Sequence, residues 1–183
     1  MTPKQDLTSK REYFKPFNYP WAYEAWLKHE QSHWLHTEVP MAEDVKDWKE
    51  RLSQEEKAFL TNIFRFFTQG DIDVADGYVT NYLPYFPQPE IRMMLSGFAA
   101  REALHVAAYS HLIETLGMPE STYSEFLEYE AMADKHEYFM DLSKANGTAE
   151  SVATNIAAFL SLIHISEPTR PLYISYAVFC LKK

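Results

Sequence analysis

The chain contains a Glu-x-x-His pair, Glu102 and His105, of a kind that can bind a metal ion. Side chains three positions apart project from the same face of an α-helix, so this carboxylate and imidazole can contact one ion. A hard oxygen ligand together with an imidazole suits iron, manganese and similar divalent metals. Such pairs are common on helices that bind no metal, so the surroundings of the pair decide what it means.

The surroundings of this pair are strongly apolar. Positions spaced four and three apart define one stripe of a predicted helix, in which most members are aliphatic or Phe: Ile91, Leu95, Phe98, Glu102, His105, Tyr109, Leu112 and Leu116. Such a stripe is expected to face the core. A carboxylate that is buried there without a partner costs several kcal/mol or takes up a proton. A cation, a hydrogen-bond network or a metal must therefore compensate Glu102.

The preceding predicted helix carries a second acid in an apolar stripe. Asp71 is the one charged member of the series Leu60, Phe64, Phe67, Asp71, Val74 and Tyr78. Asp73 lies on a neighbouring stripe that is also fairly apolar, and it remains the alternative to Asp71. Three features favour a metal site: the inward Glu-x-x-His pair, the acid on the neighbouring helix, and the inward Tyr109 one turn after His105. Together they make a metal site as plausible as a purely structural role for these residues.

Capping signals and prolines define the helices that position these residues. Ser53 and Glu56 form a predicted capping box, which opens a helix that ends near Tyr82. The next helix runs from about Glu90 to Leu116, with Gly117 as its C-terminal cap. Further helices are expected over residues 21–34, 121–144 and 148–159, after an irregular lead-in, 1–20, whose aromatic residues anchor it: Tyr13, Phe14, Phe17 and Tyr19. Long helices with short Pro-rich connections predict an all-α antiparallel bundle.

Composition excludes several classes of protein. The 183 residues, 46% of them hydrophobic and 23% charged, suit one folded domain. A net charge of −9 disfavours nucleic acid or an anionic membrane as the main partner. The chain has no long apolar run and no signal peptide, and its single cysteine, Cys180, excludes an internal disulfide. We expect a soluble, cytoplasmic protein.

Other polar groups are weaker candidates for a functional site. His29, His33 and His36 have helical spacing but favour a surface face, and neither His111 nor His136 has an evident partner. Five acids are expected to form a solvated face: Glu125, Glu128, Glu130, Asp134 and Glu137. The sequence has no Gly-rich phosphate loop and no Gly-x-Ser-x-Gly elbow.

The character of the chain changes after residue 159. Residues 160–183 resemble the translation of a sequencing adapter followed by poly-A, in two pieces separated by an index-sized gap. A segment of that origin is excluded from reasoning about the fold. The predicted organisation is therefore a lead-in, 1–20, a partial helical domain, 21–159, and an artefactual tail, 160–183.

Three runs of sequence resemble the small, radical-generating subunit of class I ribonucleotide reductase. They are HWLHTEVP at 33–40, FFTQGDIDV at 66–74 and AREALHVAAYSH at 100–111, and the similarity covers about 13–159. The resemblance implies a ferritin-like helical bundle with a dinuclear iron or manganese centre. It places a first carboxylate ligand 31 residues before the Glu of Glu-x-x-His, which is the position of Asp71.

The same resemblance implies a role for each candidate residue. Asp71, Glu102 and His105 would hold one metal ion, with Glu102 bridging to a second. Tyr109 matches the radical tyrosine and Trp34 a relay for long-range electron transfer. The radical then serves a large catalytic subunit that reduces ribonucleotides to deoxyribonucleotides. A homodimer is also implied.

The family pattern requires more ligands than this chain supplies. Two further carboxylates, a second His and a docking tail are expected beyond residue 159, so the chain as written is expected to be unable to assemble both metals and to be unstable. Two other interpretations remain open, a related ferritin-like dimetal oxidase without a large subunit and a metal-free helical scaffold.

Overall fold

The computed structural model describes residues 6–142 and 147–166, without the side chains of residues 139, 142 and 159–166. Every regular element in those ranges is an α-helix or a shorter helical turn, and no strand occurs in those ranges. The all-α prediction is therefore confirmed. The helices are α1 (Pro20–Gln31), α2 (Ala42–Lys46), α3 (Gln54–Gly77), α4 (Pro89–Leu116), α5 (Glu130–Leu142) and α6 (Ala149–Ser166). The described residues fall into two compact units, 6–142 and 147–166, so α6 belongs to the second unit and is described by itself.

The start of α3 follows the predicted capping box. The Ser53 hydroxyl accepts a hydrogen bond from the Glu56 backbone N–H at 3.2 Å, and the Glu56 carboxylate accepts one from the Ser53 N–H at 2.8 Å. These bonds satisfy donors that have no partner within the helix. At its other end, α3 continues into a π-helical turn, Tyr78–Tyr82, which confirms the predicted end near Tyr82.

The bounds of α4 also follow from its sequence signals. Pro89 occupies the first turn, where its missing N–H costs nothing. The helix ends at Gly117, whose φ of 71° lies in the left-handed region that glycine adopts without strain. The predicted span of this helix is confirmed.

Helices α3 and α4 pack side by side in antiparallel directions. Phe67 contacts Tyr109, Tyr78 contacts Phe98, and the carbonyl of Leu83 accepts a hydrogen bond from Arg92. Residue numbers therefore fall along α4 as they rise along α3. This register places the inward stripes of the two helices against each other, as an antiparallel bundle requires.

Helix α1 packs against α4 at a glycine. A Cβ atom on Gly97 would lie 3.0 Å from the Trp26 ring, so glycine at this position permits the close approach. Arg101 of α4 donates hydrogen bonds to the backbone carbonyls of His29, at 2.9 Å, and Ser32, at 3.2 Å. These bonds satisfy carbonyls at the C-terminus of α1, which ends at Gln31 rather than at the predicted Trp34.

The lead-in is irregular from residue 6 to residue 19, and its aromatic side chains anchor it only in part. Phe17 packs on a tyrosine of α1 with ring centroids 4.9 Å apart, whereas Tyr13 and Phe14 are 55% and 70% exposed. A fully buried ion pair adds a second anchor, in which Arg11 lies 2.7 Å from Glu90 of α4. Glu90 also accepts hydrogen bonds from the backbone N–H groups of residues 18 and 19, at 2.7 and 2.8 Å.

The structure corrects the prediction of a single helix over residues 121–144. Two short 3-10 turns, Glu120–Tyr123 and Glu125–Glu128, precede α5. The helix predicted to start near Thr148 begins at Ala149. Residues 167–183 of the predicted artefactual tail lie outside the described residues. Within the described residues, none of the helices has the length and apolar character needed to cross a membrane.

Candidate metal centre

The structure brings Asp71 of α3 together with Glu102 and His105 of α4. Each residue offers one ligand atom, and these atoms all lie within 4.8 Å of one another. His105 Nδ1 is 2.9 Å from Glu102 Oε2, and the two side chains are 21% and 15% exposed. Across residues 6–142 and 147–158, this is the one group of three or more acidic, His or Cys side chains that meets this geometry. The three predicted ligands thus form a half-buried cluster, which we call the triad.

Asp71 is the residue of the triad that most needs a positive partner. Its Oδ2 atom is buried and has no hydrogen-bond partner among the described residues. The pKa of Asp71 is raised to about 7, mainly by burial; His105 opposes this rise and the charge of Glu102 adds to it. A proton or a cation must therefore neutralise this carboxylate. Two carboxylates and an imidazole form a donor set that fits iron or manganese.

Asp73, the alternative ligand, is engaged elsewhere. Its carboxylate accepts hydrogen bonds from His136 Nδ1 of α5 at 2.8 Å and from Gln69 at 2.9 Å. The Asp73 side chain is 10% exposed, so this contact is nearly buried. The expectation that His136 has no partner is wrong. Helix α5 folds back onto α3, and residue spacing cannot predict a contact between residues so far apart in the sequence.

Aromatic rings flank the triad. The Tyr109 ring stacks on Phe67, with centroids 5.7 Å apart and planes inclined by 2°. The Trp34 indole stacks on the imidazole of His105 at 6.3 Å. Both residues singled out for redox roles therefore lie at or beside the triad.

A second tyrosine, to which the sequence pattern assigns no role, lies on the other side of the triad. The Tyr78 ring contacts Phe98 at 6.1 Å and Tyr82 at 5.9 Å. Burial, and to a lesser degree the charge of Glu102, raise the pKa of Tyr78 to about 12. Its place on the inward stripe with Asp71 was the signal that could have identified it.

Two of the three helically spaced histidines are not on a solvated face. His29 packs edge-on against Phe98 at 4.9 Å and accepts a hydrogen bond from Arg101 at 3.2 Å, and burial followed by the Arg101 charge lowers its pKa. His36 contacts His111 at 5.5 Å. The surface prediction is therefore wrong for His29 and His36, while His33 is exposed as expected.

The predicted acidic face is mostly solvated. Glu128, Glu130, Asp134 and Glu137 are exposed. Glu125 is the exception, because it forms an ion pair with Arg65 in which the two side chains are 24% and 14% exposed. Glu125 is therefore less exposed than predicted because it pairs with Arg65 of α3, which is distant in the sequence.

Comparisons with known proteins agree with this geometry. A family model described as "Ribonucleotide reductase, small chain" matches residues 11–181. The chain is 61% identical over 137 residues to a probable ribonucleoside-diphosphate reductase small subunit of Invertebrate iridescent virus 6, covering 75% of this chain and 38% of that protein. It is 31% identical over 130 residues to a ribonucleoside-diphosphate reductase subunit beta of Chlamydia pneumoniae, covering 70% of this chain and 38% of that protein.

A solved structure shows the same fold. The ribonucleotide reductase R2 subunit from Clostridium botulinum aligns with a TM-score of 0.70 and 19% identity, covering 76% of this chain and 45% of that one. The predicted ferritin-like bundle is thereby confirmed. The chain spans about two fifths of the length of the curated relatives, 38% of each of the two named above. The family match extends to residue 181, into the predicted artefactual tail, so the foreign origin of that tail stays a prediction.

Proposed function

The chain belongs to the ribonucleotide reductase small-chain family, and from this premise we propose that the whole protein is the small subunit of a ribonucleoside-diphosphate reductase. Members of the family are dinuclear metal proteins. A centre of this kind, of iron or manganese, supplies the oxidising power from which a protein radical is formed. The radical is used by a large catalytic subunit to reduce ribonucleotides to deoxyribonucleotides.

The observation that carries this proposal is the triad. Asp71, Glu102 and His105 converge from two adjacent helices on one point, and Asp71 has a buried oxygen without a hydrogen-bond partner among the described residues. Without a cation, this buried acid can be neutralised only by taking up a proton. Under the proposal, the three residues would hold one metal ion of the dinuclear centre, and Glu102 would also be available as a ligand to the second.

Tyr109 is the residue proposed to carry the radical. It follows His105 by about one helical turn, and its ring stacks on Phe67. The stacked ring limits the access of water and reductants to one face of Tyr109. Trp34, which contacts the ring of His105, is proposed to pass electrons between the centre and the large subunit.

The remaining proposals concern partners and location. We propose a homodimer that binds the large catalytic subunit in the cytoplasm, without nucleic acid or membrane as partner. The net charge of −9 supports the exclusion of nucleic acid and anionic membranes as partners. The family resemblance supports the homodimer and the large subunit.

Electron paramagnetic resonance tests the proposed function. The whole protein is loaded anaerobically with Fe(II) or Mn(II), exposed to O₂, and mixed with the large subunit and a ribonucleoside diphosphate. We expect a stable tyrosyl radical and deoxyribonucleotide formation in the wild type, both lost in Tyr109→Phe and retained in the control Tyr85→Phe. Metal oxidation without a radical and without turnover would instead indicate a ferritin-like oxidase.

A further inference from the structure

The triad lies between two aromatic layers of the α3–α4 pair. In one layer, Phe67 of α3 stacks on Tyr109 of α4. In the other layer, Tyr78 of α3 packs edge-on against Phe98 of α4, with centroids 6.1 Å apart and planes inclined by 61°. Because the helices are antiparallel, the two layers lie on opposite sides of the triad. Each layer contributes one tyrosine.

Tyr78 lies where the backbone departs from regular α-helical hydrogen bonding. It begins the π-helical turn Tyr78–Tyr82, in which the Leu83 N–H donates to the Tyr78 carbonyl at 3.0 Å. Such turns occur frequently at functional sites. The turn packs Tyr82 edge-on against Tyr78, with centroids 5.9 Å apart, and Tyr82 is 5% exposed. Tyr78 is therefore covered by aromatic rings from both helices.

We propose that Tyr78 is a second oxidisable tyrosine of the metal centre, a reserve electron donor on the side of the triad opposite Tyr109. This inference rests on the proposed function, since the dinuclear centre and O₂ supply the oxidant. Tyr78 donates its electron when Tyr109 is absent or already oxidised. Its oxidation in place of other groups protects the triad itself from oxidative damage.

The electrons and the proton of this step balance. One electron passes from the Tyr78 ring to the oxidant that the centre would supply from O₂. The phenolic O–H bond breaks, and its proton is consumed in the reduction of O₂ to water. That reduction takes four electrons: two from the metal pair, one from Tyr78, and one from Tyr109 or, in its absence, from excess Fe(II). A neutral phenoxyl radical remains at Tyr78, whose phenol experiences the charge of Glu102. Because the pKa of the intact phenol is raised to about 12, Tyr78 holds its proton at neutral pH until it is oxidised.

A purely structural role for Tyr78 makes a different prediction. Phenylalanine would fill the same layer against Phe98 and Tyr82, so packing alone does not require the hydroxyl group. A packing role predicts that Tyr78→Phe changes no radical signal. A donor role predicts that it abolishes one.

The test uses the whole protein with Tyr109→Phe and ring-deuterated tyrosine. After loading with Fe(II) and mixing with O₂, freeze-quenched samples are examined by electron paramagnetic resonance, and the metal content of each sample is measured. We expect a transient radical that deuteration narrows. Adding Tyr78→Phe should remove this signal, whereas adding Tyr85→Phe, as the matched control, should leave it.

A second experiment does not depend on whether the Tyr78→Phe variant folds, because it labels the tyrosine instead of removing it. Incorporating 3-fluorotyrosine at position 78 of the Tyr109→Phe protein retains the phenol and should add a fluorine splitting to the signal. The proposal is overturned if this splitting is absent, if the signal survives Tyr78→Phe, or if no radical forms in Tyr109→Phe although the wild type forms one. Absence of a radical in the wild type would instead refute the proposed function.

Discussion

The indole ring of Trp34 stacks on the imidazole ring of His105, with centroids 6.3 Å apart and planes inclined by 27°. The stacking joins the segment that follows α1 directly to a proposed metal ligand. An oxidisable ring in contact with a ligand is well placed to carry electrons between the centre and the protein surface. Trp34 can therefore be tested separately from radical formation.

Replacing Trp34 should separate radical formation from turnover. In Trp34→Phe, we expect the Tyr109 radical to form, while reductase activity with the large subunit falls about tenfold or more, which corresponds to about 1.4 kcal/mol in the barrier. Trp48→Phe is the control, because Trp48 packs against Phe64 at 6.3 Å and away from the triad. Equal activity in both variants would exclude the relay role.

The metal-free protein should lose stability as the pH rises through the pKa of Asp71. Burial raises that pKa from 3.8 to about 7, so the folded state binds the proton more tightly than the unfolded state does. The stabilising contribution is complete below the unfolded pKa and is lost by about pH 8, amounting to no more than about 4 kcal/mol. Urea unfolding of the wild type and Asp71→Asn from about pH 4 to about pH 8 measures the difference. If the free energy of unfolding had the same pH dependence in the two proteins, the raised pKa of Asp71 would be contradicted.

The buried ion pair between Arg11 and Glu90 should be important for stability. Both side chains are fully buried, so removing one partner leaves the other charge without compensation. We expect Arg11→Ala to lower the free energy of unfolding by about 3–5 kcal/mol. Lys10→Ala is the control, because its ion pair with Glu12 is 77% and 86% exposed and should contribute almost nothing. A similar effect of the two variants would show that the lead-in is not anchored by this pair.

The origin of residues 160–183 can be settled at the level of DNA. We expect resequencing of the source template to show a reading frame that departs from the adapter-like sequence after codon 159 and continues into a further core-facing Glu and a second Glu-x-x-His. A template that encodes residues 160–183 as written would make the tail native.

Local signals predicted the parts of the fold that position the triad. The bonds between Ser53 and Glu56 and the left-handed Gly117 depend on neighbouring residues, and both were predictable. The inward direction of Asp71, Glu102 and His105 followed from helical periodicity, because each is polar within an apolar stripe. Periodicity identifies a face, and the antiparallel register of α3 and α4 then brings those faces together.

Contacts between residues distant in sequence could not be predicted in the same way. The pairing of Asp73 with His136 depends on how α5 folds back onto α3, and that of Arg11 with Glu90 on the path of the lead-in. Neither pair has a characteristic spacing. The role inferred for Tyr78 likewise depends on its contact with Phe98 across two helices.

Metal binding by single-residue variants tests the central claim most directly. The whole protein, Asp71→Asn and Asp73→Asn are equilibrated anaerobically with Fe(II) or Mn(II), dialysed, and analysed for metal per chain. We predict about two ions in the wild type and in Asp73→Asn, and a clear loss in Asp71→Asn, because Asp71 belongs to the triad whereas Asp73 pairs with His136. Full metal content in Asp71→Asn, or its loss in Asp73→Asn alone, would contradict the assignment of the centre.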